Sequence, residues 1–384
     1  MERVLITGGA GFIGRHLTRR LLDQGHAVRV IDSLLPQVHG SQGHKPTDLG
    51  PEVDLRIADL RNTAAVVEAL RGVDVVVHLA AAVGVGQSMY RVADYVGGNE
   101  LGTASLWEAI LASRVDHPLR RCVVASTMGI YGEGVYRSAV DETPRTVPPR
   151  QLGQLVAGDW EHRDAAGRQL VPVPLTEASP VQPRSVYALS KFQQEQLSRM
   201  LGDAYGIPVT TLRLFNVYGP GQALANPYAG VLAIFGARLL NGLPPELFED
   251  GQQLRDFVHV ADVARAFHLA IDQTGDASTT LNIASGSAIP LVDLAKRLAG
   301  QLGRPDLTPV VTGRYRSGDT RHSLADISAA QKVLGYHPEV DLHAGLSQFV
   351  QWLGQQPLPR ASSNATAELA VHGLMHGDSR TSPP

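Results

Sequence analysis

The run TGGAGFIG at positions 7–14 constrains this chain more than any other segment. It follows a short strand-like stretch, ERVLITG (2–8), and opens a helix-like one, FIGRHLTRRLLDQG (12–25). Gly8, Gly11 and Gly14 give the spacing G-x-x-G-x-x-G, and Gly9, Gly11 and Gly14 also satisfy G-x-G-x-x-G. A turn of this kind needs glycines because the backbone must bend tightly and come close to a pyrophosphate. The anion then faces the free N–H groups and positive end of the helix. The strand–turn–helix setting makes an otherwise weak glycine pattern informative. Within the helix-like stretch Ile13, Leu17 and Leu21 share one face, and Gly25 stands where a helix stops.

The same alternation continues. AVRVID (27–32), VDLRIADL (53–60), VDVVVHLAA (73–81) and RRCVVAST (120–127) read as strands, the last two as continuous apolar runs buried on both faces. Helical stretches lie near Thr63–Leu70 and Leu101–Ala112. Strand–helix repetition of this kind predicts an α/β fold, a doubly wound parallel sheet. Leu35–Pro51, Gly132–Arg184 and Gln356–Pro384 read as loops, the second with one short helix near 151–161. The last, rich in Ser, Ala, Thr, Pro and Gly, reads as a disordered tail without chemistry.

Composition removes several functions. At 384 residues, 43% hydrophobic and 18% charged, the chain is globular and has length for two or three domains. Its 34 Lys+Arg against 37 Asp+Glu exclude a nucleic-acid binder that works through bulk positive charge. The single cysteine, Cys122, excludes an intrachain disulfide and a Cys-based zinc site, and it reads as a small core residue. The longest apolar stretch, Val73–Gly86, is too short to span a bilayer and carries Asp74 and His78. MERVLITGG has no basic region ahead of an apolar core, so no signal peptide and a cytoplasmic location are expected, and the sequon at Asn364 reads as accidental. None of the 14 histidines falls in a ligand spacing, so no metal is expected. His78 and His259 read as hydrogen-bonded core histidines.

Candidate site residues follow from position. Asp32 ends the second strand, 18 residues past Gly14, where a carboxylate bonds the ribose 2′-hydroxyl of NAD and repels the 2′-phosphate of NADP. No Lys or Arg follows it until Lys45, so NAD is the expected cofactor. Asp59 and Leu60, ending the third strand, are placed to reach an adenine. Tyr187 and Lys191, four apart in YALSKFQQEQLSRMLGDAYG, share a helix face. A phenol near pKa 10 is a poor base at neutral pH, and a neighbouring ammonium with the positive nicotinamide of NAD⁺ would favour the phenolate. Thr127, after RCVVAS, offers a hydroxyl at the end of a central strand, where ligands of such sheets bind.

With these residues in place the chain resembles the extended short-chain dehydrogenase/reductases, in particular nucleotide-sugar epimerases and dehydratases. The resemblance runs from about Arg3 to Leu353. It rests on TGGAGFIG, Asp32, HLAA (78–81), Asn99–Thr103, STMGIYG (126–132), YALSK, RLFNVYGPGQ (213–222), EDGQQLRDFVHVADVA (249–264), NIASG (282–286) and GDTRHSLADISAAQKVLGY (318–336). It implies a Rossmann domain over 1–190 with a long insert at 132–184. Over 191–355 the remaining sheet elements would interleave with a smaller C-terminal α/β substrate domain, ahead of the 356–384 tail. By resemblance NAD lies along Gly8, Gly11, Phe12, Ile13, Gly14, Asp32, Asp59, Leu60, Leu79, Ala80, Ala81, Asn99, Tyr187 and Lys191. Asn216, Arg255 and Arg316 match positions that hold the diphosphate of a nucleotide sugar, and paired guanidinium donors suit a pyrophosphate. A homodimer is implied on the same ground.

Members begin alike: the Tyr takes the C4-hydroxyl proton while C4 gives a hydride to NAD⁺. Relatives that eliminate water carry an acid–base pair directly after the catalytic Thr, and decarboxylating relatives place a Glu there. Met128 and Gly129 carry no proton. Relatives that epimerise at C3 and C5 use a Cys near the catalytic hydroxyl, whereas Cys122 lies upstream on the strand. A C4-epimerase remains, with an NAD(P)H-dependent 4-ketoreductase as the open alternative. AAAVGVGQSMY (80–90) and FNVYGPGQALANPYAGV (215–231) resemble enzymes of dTDP-6-deoxyhexoses, such as dTDP-L-rhamnose 4-epimerases. Thr127 and Tyr187 stand 60 residues apart, more than in UDP-galactose epimerases, and the 132–184 insert reads as a lid or substrate wall. Ser323 occupies the place of a bulky Tyr often found in those enzymes, which implies a roomier pocket.

Overall fold

Side chains that alternate between two apolar faces dictate the centre of the molecule. In a computed structural model of the chain, Val4 and Ile6 join one buried cluster and Leu5 the other; Val75 and Val77 oppose Val76, and Val123 and Ala125 oppose Cys122 and Val124. Period two with both faces covered is the signature of a strand inside a parallel sheet. The structure describes residues 2–40, 49–115, 117–140, 142–224, 226, 230–316, 318–357 and 364–377. Lys45 and the rest of 41–48 in the 35–51 loop lie outside the described residues, and Pro36–His39 forms a short helix.

Seven parallel strands make the sheet: β1 (Arg3–Thr7), β2 (Ala27–Asp32), β3 (Asp54–Ile57), β4 (Val75–His78), β5 (Arg121–Thr127), β6 (Val209–Leu214) and β7 (Thr279–Ile283). Their order is β3-β2-β1-β4-β5-β6-β7, with every pair parallel. The order reverses between β1 and β4, which opens a crevice at the strands' C-terminal ends. Helices α1 (Phe12–Asp23), α2 (Thr63–Leu70), α3 (Gly102–Ser113), α4 (Val186–Tyr205) and α5 (Val260–Asp272) cover the two faces. α4 starts where Ser185 accepts from the Ala188 N–H at 3.1 Å and stops at Gly206, φ +69°. The doubly wound fold read from the sequence is thus the fold observed.

A smaller C-terminal unit surrounds Asn216–Tyr218, Leu254–His259 and Ala288–Pro290, a three-stranded sheet of mixed direction. Helices Val231–Leu240, Leu291–Gln301 and Leu342–Leu353 pack on it through Phe235, Leu298, Phe349 and Leu353.

Two stretches read as loops have structure. The 132–184 insert holds a helix at Leu152–Val156 and an antiparallel sheet of Pro144–Thr146, Val135–Arg137 and Val171–Val173 around buried Tyr136, Val147 and Leu170. Its two outer strands carry Pro144 and Pro172, which is tolerated at sheet edges and obscures a strand signal. In the expected disordered tail, α6 (Asn364–Val371) and a strand at Met375–His376 are formed. α6 buries Leu369 but little else of its described face, too little to give a helical period.

The insert is clamped to the C-terminal unit through Arg321, whose side chain is wholly buried. Its guanidinium bonds Glu161 at 2.5 Å, Glu249 at 2.8 Å and Asp250 at 2.7 Å, and Arg150 joins Glu249 at 2.8 Å. Burial pushes the Glu161 carboxyl up, but His322 and Arg321 overcome it and hold it at about 2. A depressed folded-state value makes this carboxylate stabilising above its ordinary 4.5, with the contribution lost as pH falls toward 2. Glu161→Gln is therefore expected to lower stability by roughly 1–3 kcal/mol at pH 7. In urea titrations the gap from wild type should close between pH 4.5 and 2; a gap that stays constant with pH contradicts this.

Candidate active site

The first wall of the crevice is a turn with no room for side chains. Gly8 has φ +69°, and a Cβ there would lie 2.7 Å from the Ala80 backbone N. A Cβ on Gly14 would lie 2.5 Å from the Gly9 Cα. α1 therefore begins pressed against the turn, and its N-cap, Gly11, has no side chain to bond the first amides. Those amides, at Phe12 and Ile13, have no partner inside the helix and suit a phosphate. A glycine cradle of this shape fits a dinucleotide.

The other expected cofactor residues gather on the same rim. The Asp32 carboxylate, ending β2, accepts from the Ala10 N–H at 3.0 Å and the Leu34 N–H at 2.9 Å. Asp59 is held by Arg61 at 2.6 Å beside buried Leu60. Leu79, Ala80 and Ala81 leave the end of β4, where the Ala80 N–H donates to Thr7 Oγ1 at 3.2 Å. A π turn at Val96–Leu101 precedes α3 and carries Asn99 inward. The Asn99 amide bonds both backbone groups of Ala82, at 2.6 and 3.1 Å, and donates to Ser190 Oγ at 2.8 Å.

Opposite stand Thr127, Tyr187 and Lys191. Thr127 ends β5, and its Oγ1 accepts from the Gly129 N–H at 3.2 Å. Tyr95 meets the Tyr187 ring edge-on, centroids 6.3 Å apart. Burial pushes the phenol up to about 12, against the opposing effect of the nearby Thr127 hydroxyl. Burial also brings the Lys191 ammonium down to about 7, against the pull of Glu195. The Tyr–Lys spacing predicted a phenolate favoured by the lysine, whereas desolvation dominates and Lys191 Nζ donates to Gln194 Oε1 at 2.6 Å.

Gln194 is the residue that sequence reasoning missed. Its Nε2 also donates to His78 Nε2 at 3.0 Å and to Thr103 Oγ1 at 2.7 Å. The His78 ring is hydrogen-bonded at both nitrogens, Nδ1 with Thr7 Oγ1 at 2.7 Å and Nε2 with Thr103 Oγ1 at 2.8 Å. Burial, then Lys191, brings His78 down to about 3, so the ring is neutral. His78 is the core histidine expected, and His259 caps α5 by accepting from the Ala261 N–H at 3.3 Å. Only the helical offset of Gln194 from Lys191 hinted at this partnership. Glu195, one residue on, forms a buried pair with Arg213 of β6 at 2.6 Å.

The expected substrate residues line the C-terminal side. Asn216 Nδ2 donates to the Asp256 carbonyl at 3.0 Å. Arg255 is buried and donates to the carbonyls of Leu254, Thr320 and Arg321, so much of its fork holds the 320–321 segment. Arg316 lies 4.6 Å over the Phe248 ring, and its buried Nε has no partner among the described residues. Ser323 Oγ contacts Met128 Sδ at 3.2 Å. Cys122 is fully buried and pushed up to about 12, which leaves it inert.

Among the described residues one His/His/Asp group assembles, His26, His268 and Asp272, far from this crevice. Arg20 Nε donates to His268 Nδ1 at 3.1 Å, which leaves the N–H on Nε2, facing Asp272 at 3.1 Å. That is a hydrogen-bonded pair beside a cation.

Comparison with known proteins agrees with this geometry. The model of the NAD dependent epimerase/dehydratase family matches residues 4–152 and 165–284. A dTDP-L-rhamnose 4-epimerase of Burkholderia thailandensis is 35% identical over 92% of this chain and 96% of its own length. A UDP-glucose 4-epimerase of Mycolicibacterium smegmatis is 31% identical over 91% and 98%. Among solved structures, the Thermus thermophilus UDP-glucose 4-epimerase complex with NAD superposes with a TM-score of 0.72 at 29% identity, covering 92% of this chain and all of that one.

Because Lys191 falls from its ordinary 10.5 to about 7 on folding, the unfolded chain holds the extra proton between those values. The burden of the buried ammonium is complete below pH 7 and is relieved as pH rises. In nucleotide-free protein, the stability of Lys191→Met relative to wild type should be highest at or below pH 7 and should fall toward pH 10. Urea titrations across that range check this; a pH-independent difference refutes it.

Proposed function

The chain belongs to the NAD-dependent epimerase/dehydratase family, and from that premise we propose that it inverts C4 of a nucleotide-diphosphate sugar, a dTDP-6-deoxyhexose, through a transient 4-keto sugar. The observation that carries the reading is a Thr127–Tyr187–Lys191 set at a strand end whose next residues, Met128 and Gly129, hold no proton. The Gly8–Gly14 cradle and Asp32 would hold NAD, which when bound would supply a reversible hydride acceptor for C4.

The chain's own residues do the remaining work. Tyr187 takes the C4-hydroxyl proton as C4 is oxidised and gives it back as the ketone is reduced. Its phenol is held neutral by burial in the protein alone, so the positive charge of the oxidised cofactor is what brings it toward the phenolate. Thr127 holds the C4 oxygen. Lys191, kept in place by Gln194, contributes a donor to the nicotinamide ribose. Asp32 receives the adenosine ribose hydroxyls and disfavours a 2′-phosphate. Arg316 and Asn216 meet the diphosphate, with Arg255 mainly shaping the 320–321 segment behind them. Met128 beside Ser323 makes an apolar wall in keeping with a deoxygenated sugar. Two copies pairing through α3 and α4, with Leu101 exposed just ahead of α3 and Leu189 exposed on α4, complete the reading.

Purified protein given dTDP-L-rhamnose or its C4 epimer, with no cofactor added, should approach one equilibrium mixture from both sides, and faster than it does with UDP-sugars. Tyr187→Phe should lose about 10²–10⁴-fold in rate while still binding NAD. Turnover of a 4-keto sugar only when NADH or NADPH is supplied would identify a reductase instead.

A further inference from the structure

Residues 364–377 touch two separate parts of the chain, the 85–90 turn and the Tyr315–Arg316 strand. On one side α6 seats Leu369 against Gly86, where a Cβ would lie 2.7 Å from Leu369 Cδ2. Tyr90 donates to Glu368 Oε2 at 2.8 Å and stacks on His372 with ring centroids 4.1 Å apart. This wall adjoins the catalytic side: Gln87 Oε1 accepts from Tyr95, whose ring meets Tyr187. On the other side Met375–His376 pairs antiparallel with Tyr315–Arg316, setting Arg316 opposite Met375 and stacking His376 on Tyr315 at 5.2 Å. Among the described residues this is the only strand that pairs with Tyr315–Arg316. Trp160 of the insert lies 5.9 Å from the same Tyr315 ring. The Arg316 Nε is buried and has no hydrogen-bond partner among the described residues.

We infer that residues 364–377 are a working part of the sugar-nucleotide site, a strap that fixes the backbone of Arg316 and the 85–90 turn so that the arginine meets a nucleoside diphosphate. The inference rests on the reading of Arg316 as a diphosphate ligand. Its physical basis is positional. A two-residue strand has no register of its own, and a guanidinium bonds a phosphate well only when its fork is held in place. The strap therefore acts through Arg316 and the turn, and its residues are positioning residues.

The test compares full-length protein with a chain ended after Pro357 and, as a full-length control for folding, Leu369→Asp. dTDP binding is measured by calorimetry, with bound NAD and the KM and kcat of epimerisation alongside. Both variants should bind dTDP about tenfold more weakly or worse and raise KM, while NAD content and kcat stay within about threefold. Arg316→Ala should weaken dTDP binding in the full chain yet add little in the shortened one, because the two changes remove one interaction. Unchanged dTDP affinity in either folded variant overturns the strap, as does a full additional loss from Arg316→Ala in the shortened chain. Full-length protein that binds neither dTDP nor UDP overturns the diphosphate reading itself, and the strap with it.

Discussion

Everything in this crevice depends on a turn in which atoms have been left out. A Cβ on Gly9 would lie 2.7 Å from a Val30 methyl, one on Gly8 would strike the backbone at Ala80, and one on Gly14 would strike Gly9. The turn is thus keyed into β2 and β4, the neighbours of β1 on either side of the point where strand order reverses. Placing an anion cradle there follows from close packing, since no other arrangement brings the start of α1 so near the sheet's edge. The strand ends that carry Asp32, Ala80 and Thr127 then share one rim because the strands are parallel.

A second layer of order is polar. Thr7, His78, Asn99, Thr103, Ser190, Lys191 and Gln194 are all nearly inaccessible to solvent and bonded to one another. In a low-dielectric interior such a network is stabilising when every member has a partner and costly when one is lost, so it admits a single arrangement. It couples α4 to the end of β4 and to the π turn, and through the backbone it sets the height at which Tyr187 faces Thr127. The neutral imidazole of His78 matters here: a charged ring beside Lys191 would repel it.

Much of this was legible in the sequence. The glycine spacing, the apolar strands and the helical run that starts at Tyr187 each obey local rules, so strand β2, helix α4 and the doubly wound class could be read directly, though not the strand order. Asp32, Thr127 and Tyr187 were legible because topology alone puts strand ends and one helix face together. Gln194 was not, since a glutamine on a helix is ordinarily a solvated residue and only the fold turns it inward. The insert's sheet was hidden by strands of three residues carrying Pro144 and Pro172, and the strap by the fact that it buries one leucine. The burial that opposes the phenolate in the protein alone was not legible, because spacing reveals proximity but not desolvation.

The guanidinium of Arg321 has a consequence for how this chain can vary. Its three carboxylate partners come from two separate places, the insert at Glu161 and the adjacent Glu249 and Asp250 before the 254–259 strand, with Arg150 as a second cation and His322 hydrogen-bonded to Glu161. Neutralising one corner strands charge in a place water does not reach. Drift at these sites should thus be concerted: homologues that lack the insert should lack the arginine too, and positions far apart along the chain should be inherited as a set.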